Sequence, residues 1–187
     1  MRSPKARRGF TLVEFVVGIV LLAIALTGIL GLLINQAPQA VDPVQQVRAA
    51  QLAQRLAGEI LQKSFDEQSD HNGGRYRCGE TVDGVIIPCS DRYGPDGELA
   101  PYAYNDVDDF DTAGNWVDAN RFSQTSAGVS RDEYPNYQVK IAVRGVDFSD
   151  GSFKSCTAPC SVGKRIELQV RLPDRSVLDF SLYRGNY

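Results

Sequence analysis

The sequence has one histidine, one tryptophan and no cysteine before residue 78. Any Ser-His-Asp arrangement would have to use His71, which sits in a Gly/Asn/Asp turn. No P-loop, dinucleotide fingerprint or H-E-x-x-H stretch occurs, so the common signatures of catalysis are missing. Internal repeats and low-complexity tracts are missing too. Two further absences are local. The first nine residues contain no acid, only Arg2, Lys5, Arg7 and Arg8 as charged groups. The twenty residues from Phe15 to Ile34 contain no charge at all.

What is present fits one modest domain plus an extended element, given 187 residues of ordinary apolar and charged content. The net charge is −3, and setting aside the four basic residues of the first nine leaves −7 on residues 10–187. An acidic body lacks the positive surface that displaces counterions from nucleic acid, so no specific nucleic-acid partner is expected. The basic start favours retention on the cytoplasmic side of a membrane. A helix over Phe15–Ile34 would span the roughly 30 Å hydrocarbon core at about 1.5 Å per residue. Its far side, Ile34-Asn35-Gln36-Ala37-Pro38-Gln39-Ala40, is a weak match to an export-peptidase site, and a cleaved signal peptide is the alternative. A carboxylate, Glu14, stands at the start of this apolar run, where it is costly unless paired or placed at the interface. An interfacial acid answering the helix N-terminus is the bland explanation.

Arg7-Arg8-Gly9-Phe10-Thr11-Leu12-Val13-Glu14 resembles the prepilin leader of type IV pilins and type II secretion pseudopilins. The resemblance implies cleavage by prepilin peptidase between Gly9 and Phe10 and N-methylation of Phe10. It implies that Glu14 pairs with the Phe10 amine of a neighbouring subunit during filament assembly. The helix then stays in the product, first in inner membrane lipid and later in an extracellular pilus. The implied partners are prepilin peptidase, other major and minor pilins, and the inner-membrane assembly platform. Many pilins carry a proline where this chain has Gly31.

After the apolar run, Pro38 and Pro43 punctuate the chain, and Asp42-Pro43 reads as an N-cap with a first-turn proline. A second helix is expected from about Pro43 to Ser64, with an apolar face through Val44, Val47, Leu52, Leu56 and Ile60. Residues 65–80 are turn-rich, and Val85-Ile86-Ile87 is a short apolar run. Asp91 to Asn136 is long and irregular. Period-two alternation marks strands at 137–144, 166–172 and 178–182, with a turn at Pro173-Asp174-Arg175. The expected organisation is a leader (1–9), a transmembrane and filament-core helix (10–37), an amphipathic second half of the same pilin helix (38–64) and a periplasmic or surface head (65–187). The fold class is α+β, the type IV pilin fold of a long N-terminal helix packed against a small antiparallel sheet. Val41-Asp42-Pro43, Arg48 to Ala53, Glu59-Ile60-Leu61, Phe65-Asp66-Glu67 and Tyr104 to Phe110 resemble minor pilins of the mannose-sensitive haemagglutinin (MSHA) pilus, MshD type. That resemblance implies a role in pilus biogenesis and attachment. A minor pseudopilin of type II secretion shares the leader, and a membrane-anchored binding protein that never polymerises is a third reading.

Cys78, Cys89, Cys156 and Cys160 form two local pairs. Four cysteines allow three connectivities, of which local pairing is the simplest, and an even count in an exported domain points to disulfides. The C-x10-C and C-x3-C spacings match zinc knuckles poorly. Asp106, Asp108, Asp109 and Asp111 lie within six residues. A flexible loop rich in oxygen ligands suits calcium. The stretch lacks the EF-hand glycine and glutamate, and a solvated acidic loop is the simpler expectation. No other cofactor is implied. Tyr93, Tyr102, Tyr104, Phe110 and Trp116 either cover the sheet or mark a binding surface. Arg75, Arg77 and Arg92 form only a modest basic group.

Overall fold

The computed structural model describes residues 11–70, 75–125 and 132–187, and for 32–42 the backbone alone. The leader, the Gly9–Phe10 bond and His71 lie outside the described residues. The chain divides into two compact units, Met1–Val44 and Gln45–Tyr187.

Helix α1 runs over Leu12–Leu61. It is the one long N-terminal helix that the pilin resemblance implies, and only the helix start read locally at Asp42-Pro43 differs, because the helical backbone is unbroken through Pro38 and Pro43. Each proline removes one N–H donor, but elongating an existing helix is far easier than nucleating a new one, so the flanking bonds carry the turn through. It also ends at Leu61 rather than Ser64. Lys63 donates its main-chain N–H to Ile60 O in a closing turn, and its Nζ bonds Tyr104 O at 2.6 Å.

In the first unit, Leu12–Gly31 has a mean hydropathy of 2.6 and none of it is buried. Besides Glu14 its one polar side chain is Thr27, which turns its hydroxyl back to Ala23 O (3.1 Å) and Ile24 O (2.9 Å). That internal bond is what a hydroxyl in lipid requires.

The second unit builds its core between the last turns of α1 and one antiparallel sheet. Ala49, Leu52, Ala53, Leu56 and Ile60 recur at three- and four-residue spacing and are all buried. The strands are β1 (Thr81–Val82), β2 (Val85–Ile86), β3 (Val117–Asp118), β4 (Gln138–Asp147), β5 (Lys154–Ser155), β6 (Gly163–Arg171) and β7 (Val177–Gly185). The main sheet has the order β3-β4-β6-β7, with β5 paired to the far end of β4. β1 and β2 form a separate hairpin. Its turn residues Asp83 and Gly84 both have positive φ, as an Asp-Gly two-residue turn demands.

The alternation expected for the last three strands is present. Val139, Ile141 and Val143 of β4 face Val170, Leu168 and Ile166 of β6, and all six are buried. Leu178, Phe180 and Leu182 of β7 pack against the same core. β6 and β7 join through the expected turn, closed by Leu172 N–H to Ser176 O at 2.9 Å.

The stretch from Asp91 to Asn136 has little regular structure, yet its described part contributes to the core. It carries 3-10 turns at Pro101–Ala103, Asp108–Phe110 and Ala119–Ser123. Tyr104, Phe110 and Phe122 are buried and pack ring on ring, with centroids 5.0 and 6.3 Å apart. Aromatic area of this kind replaces a missing regular element as core filler.

Candidate functional site

Two places carry chemistry, one in each unit. The first is the start of α1. Thr11 Oγ1 accepts the main-chain N–H of Glu14 at 3.3 Å, and the Thr-x-x-Glu spacing is that of a capping box. Thr11 therefore supplies the N-cap, and Glu14 places an exposed acid in the first helical turn, where the helix dipole favours negative charge. The apolar, exposed run that follows leaves Glu14 as the one carboxylate in Leu12–Gly31.

The second place is the aspartate group at 106–111. The expected solvated loop is not what the structure holds. Asp106, Asp108 and Asp109 are buried, and so is Lys164, which lies 56 residues further along. Strand parity explains the lysine. It lies two residues before Ile166 on the face that carries Ile166, Leu168 and Val170 into the core. Its Nζ donates to Phe65 O at 2.6 Å, to Asp66 Oδ2 at 3.1 Å and to Asp108 Oδ1. The rings of Phe65 and Tyr93 stand 4.7 and 5.3 Å from the ammonium.

Each aspartate has a distinct task. Asp106 Oδ1 accepts the N–H groups of Asp108 (2.8 Å) and Asp109 (3.1 Å) and so caps the 3-10 turn. Asp109 Oδ2 accepts from the N–H of Asn105 at 2.8 Å. Asp111 points elsewhere, its Oδ2 accepting the N–H of Val143 on β4 at 2.8 Å. The structure thus brings three of the four predicted calcium ligands together and separates the fourth. The nearby positive charge is the Lys164 ammonium. An oxygen cluster of different membership, Glu67, Asp96 and Asp106, lies within 4.8 Å.

Burial in this cluster disfavours charge. Desolvation, then the charge of Asp108, pushes the Asp106 carboxyl up to about 8. Desolvation also raises Asp108 to about 6, with Lys164 opposing the rise and the charge of Asp66 adding to it. Tyr93 is pushed up to about 12 by burial and by the charges of Asp108 and Asp66, so its phenol stays protonated.

The cysteines pair locally, Cys78 with Cys89 and Cys156 with Cys160, with Cα atoms 4.8 and 5.8 Å apart. The Cys156–Cys160 loop lies hard against Gly145 of β4. A Cβ at Gly145 would meet Cys156 O at 2.4 Å and Cys160 Cβ at 2.7 Å. Asn186 Nδ2 bonds Cys78 O (2.9 Å) and Ser161 O (2.8 Å), tying the two cystine regions to the C-terminus.

The remaining candidates are structural in their surroundings. Tyr104 and Phe110 are core residues. Trp116 lies under Arg171, whose guanidinium carbon is 3.8 Å from the ring centroid, with Lys140 at 4.9 Å. Tyr102 is exposed. In the basic group, Arg77 pairs with Glu80. Sequence reasoning missed Lys164, Asp66 and Thr11. Lys164 was detectable as an inward-parity position of its strand, and Thr11 as the partner of Glu14 in the capping box.

No curated protein and no solved structure is significantly similar to the chain. Residues 4–30 match the family model of the prokaryotic N-terminal methylation motif. That motif, the exposed apolar helix and the α+β head fit a membrane-anchored, type IV pilin-like precursor. It points to a structural subunit, pilin or pseudopilin, rather than to an enzyme, and it implies processing by prepilin peptidase and assembly with other pilins.

Proposed function

We propose that the protein is a minor pilin of an MSHA-like type IV pilus, cut between Gly9 and Phe10, methylated on Phe10 and built into a surface filament that supports attachment. The observation that carries the reading is the start of α1. An acid-bearing, capped first turn leads directly into a charge-free helix whose apolar side chains are all exposed. Such a surface needs lipid or other apolar helices around it, because water cannot solvate it cheaply. Assembly then moves the helix from lipid to a bundle of like helices. Glu14 neutralises the Phe10 amine of a neighbour and fixes register, since an unpaired charge in that setting is expensive.

The MSHA assignment rests on the segments between Val41 and Phe110, and the two disulfides suit an exported head. A type II pseudopilin shares Glu14 and the leader. Deleting the gene separates the two readings: loss of surface pili with intact secretion supports the pilin, and loss of secretion with intact pili supports the pseudopilin. Glu14→Ala should leave cleavage of the leader intact and reduce incorporation into sheared filaments. Normal incorporation of that variant would remove Glu14 from the assembly step.

A further inference from the structure

Lys164 and Asp108 meet in a setting that favours more than an ion pair. Both side chains are shut off from water, and the ammonium nitrogen lies in hydrogen-bond contact with Asp108 Oδ1. Up to three carboxylates, Asp66, Asp106 and Asp108, surround the single lysine charge. The three differ in their remaining bonds. Asp66 is a well-satisfied carboxylate that accepts from the N–H of Gln68 (3.2 Å) and from the N–H and hydroxyl of Ser90 (both 3.1 Å), while holding Nζ at 3.1 Å. The Asp108 carboxyl is buried, and besides Lys164 its side-chain hydrogen bond is the one it shares with the Asp106 carboxyl. An ion pair shut away from water is costly, and replacing the charged pair with a neutral one removes that cost.

We propose that Lys164 Nζ and the Asp108 carboxyl condense into an intramolecular isopeptide bond that joins β6 to the 3-10 turn Asp108–Phe110. The ammonium first passes one proton to Asp108 across their hydrogen bond, leaving an amine and a carboxylic acid. The nitrogen lone pair then forms a bond to Asp108 Cγ. The bond from Cγ to one oxygen breaks, and that oxygen leaves as water with a proton supplied by Asp106. Asp106 regains a proton from the nitrogen, which keeps one hydrogen as an amide. No oxidant, nucleotide or metal is needed, because ammonium plus carboxylate equals amide plus water. The product sheds one of the two Asp108 oxygens and discharges the pair. Burial keeps Asp106 protonated near neutral pH, which suits a proton donor. Asp66 and Phe65 O hold the amine against its target, and such fixed proximity replaces a bimolecular encounter.

The test is the intact mass of the full chain, purified in detergent with both disulfides formed. The expected wild-type mass is lighter by one water than the disulfide-bonded polypeptide, and a tryptic digest contains a branched peptide joining the Asp108 and Lys164 segments. Lys164→Arg should show the full mass. Asp108→Asn should reach the same cross-linked product by losing one ammonia instead. Asp106→Asn should slow formation by about 100-fold, the usual scale of a positioned acid. A wild-type chain with both disulfides, full mass and no branched peptide overturns the proposal, whatever the variants do. An unchanged rate in Asp106→Asn removes Asp106 from the proton transfer.

Discussion

The two units solve opposite problems. In Leu12–Gly31 the apolar side chains are on the outside, and nothing among the described residues covers them. In Gln45–Tyr187 a lysine and four aspartates, Asp66, Asp106, Asp108 and Asp109, are on the inside, each with partners within the fold. The first unit is incomplete by construction and needs lipid or copies of itself. The second is closed by its own hydrogen bonds, disulfides and packing. On the proposed function the chain leaves a membrane and joins a filament, and the segment that changes partners is then separate in sequence from the core that must survive the change.

Separating the two by mutation should follow that line. The largest effect belongs to Lys164→Met, which strands buried carboxylates and should cost the head about 3–5 kcal/mol. Urea unfolding of the head should show the loss, while membrane association stays as in the wild type; an effect on both would break the comparison. Next is Leu22→Arg, which should make membrane insertion costlier by about 2.5–3.5 kcal/mol. Carbonate extraction of membranes reads that change, and the head should melt as before.

A smaller, pH-dependent effect sharpens the account of the buried cluster. Asp106 has a folded-state value near 8 against an ordinary value of 3.8, so the folded head binds a proton that the unfolded chain releases between those limits. Stability therefore falls as pH rises through that window. The melting temperature should drop from pH 5 to pH 8. Asp106→Asn, which mimics the protonated form, should flatten the drop. The surface groups Asp147, Asp150 and Asp174 are shifted downward by hydrogen bonds, so they act only at lower pH. The smallest effect is that of Arg77→Ala. Its 3.8 Å pair with Glu80 is about half exposed, so its loss should cost under about 1 kcal/mol by thermal melt.

The sequence made some of this legible and hid the rest for physical reasons. The three long strands were visible because their alternation is strict, and the turn at 173–175 because Pro-Asp has few other uses. Alternation alone starts β6 at Ile166, whereas Lys164 is already an inward position, answered by acids. The aspartates read as solvated because their spacing says nothing about a partner 56 residues away. Local propensity starts a helix at Pro43, whereas the pilin resemblance implies one long helix, and the second is what the chain forms. The local cysteine pairs were legible from proximity in sequence. Gly9 and Phe10 are named by the leader motif alone, and Glu14 both by that motif and by its place at the start of an apolar run. The structure adds the Thr11 cap beside Glu14 and nothing on the other two, which lie outside the described residues.

The most direct test of the pilin reading is the N-terminus of the protein taken from a cell envelope. Sequencing or terminal-peptide mass analysis should find a chain that begins at Phe10 with one added methyl group. A chain that still begins at Met1, or one that begins near Ala40, would contradict it.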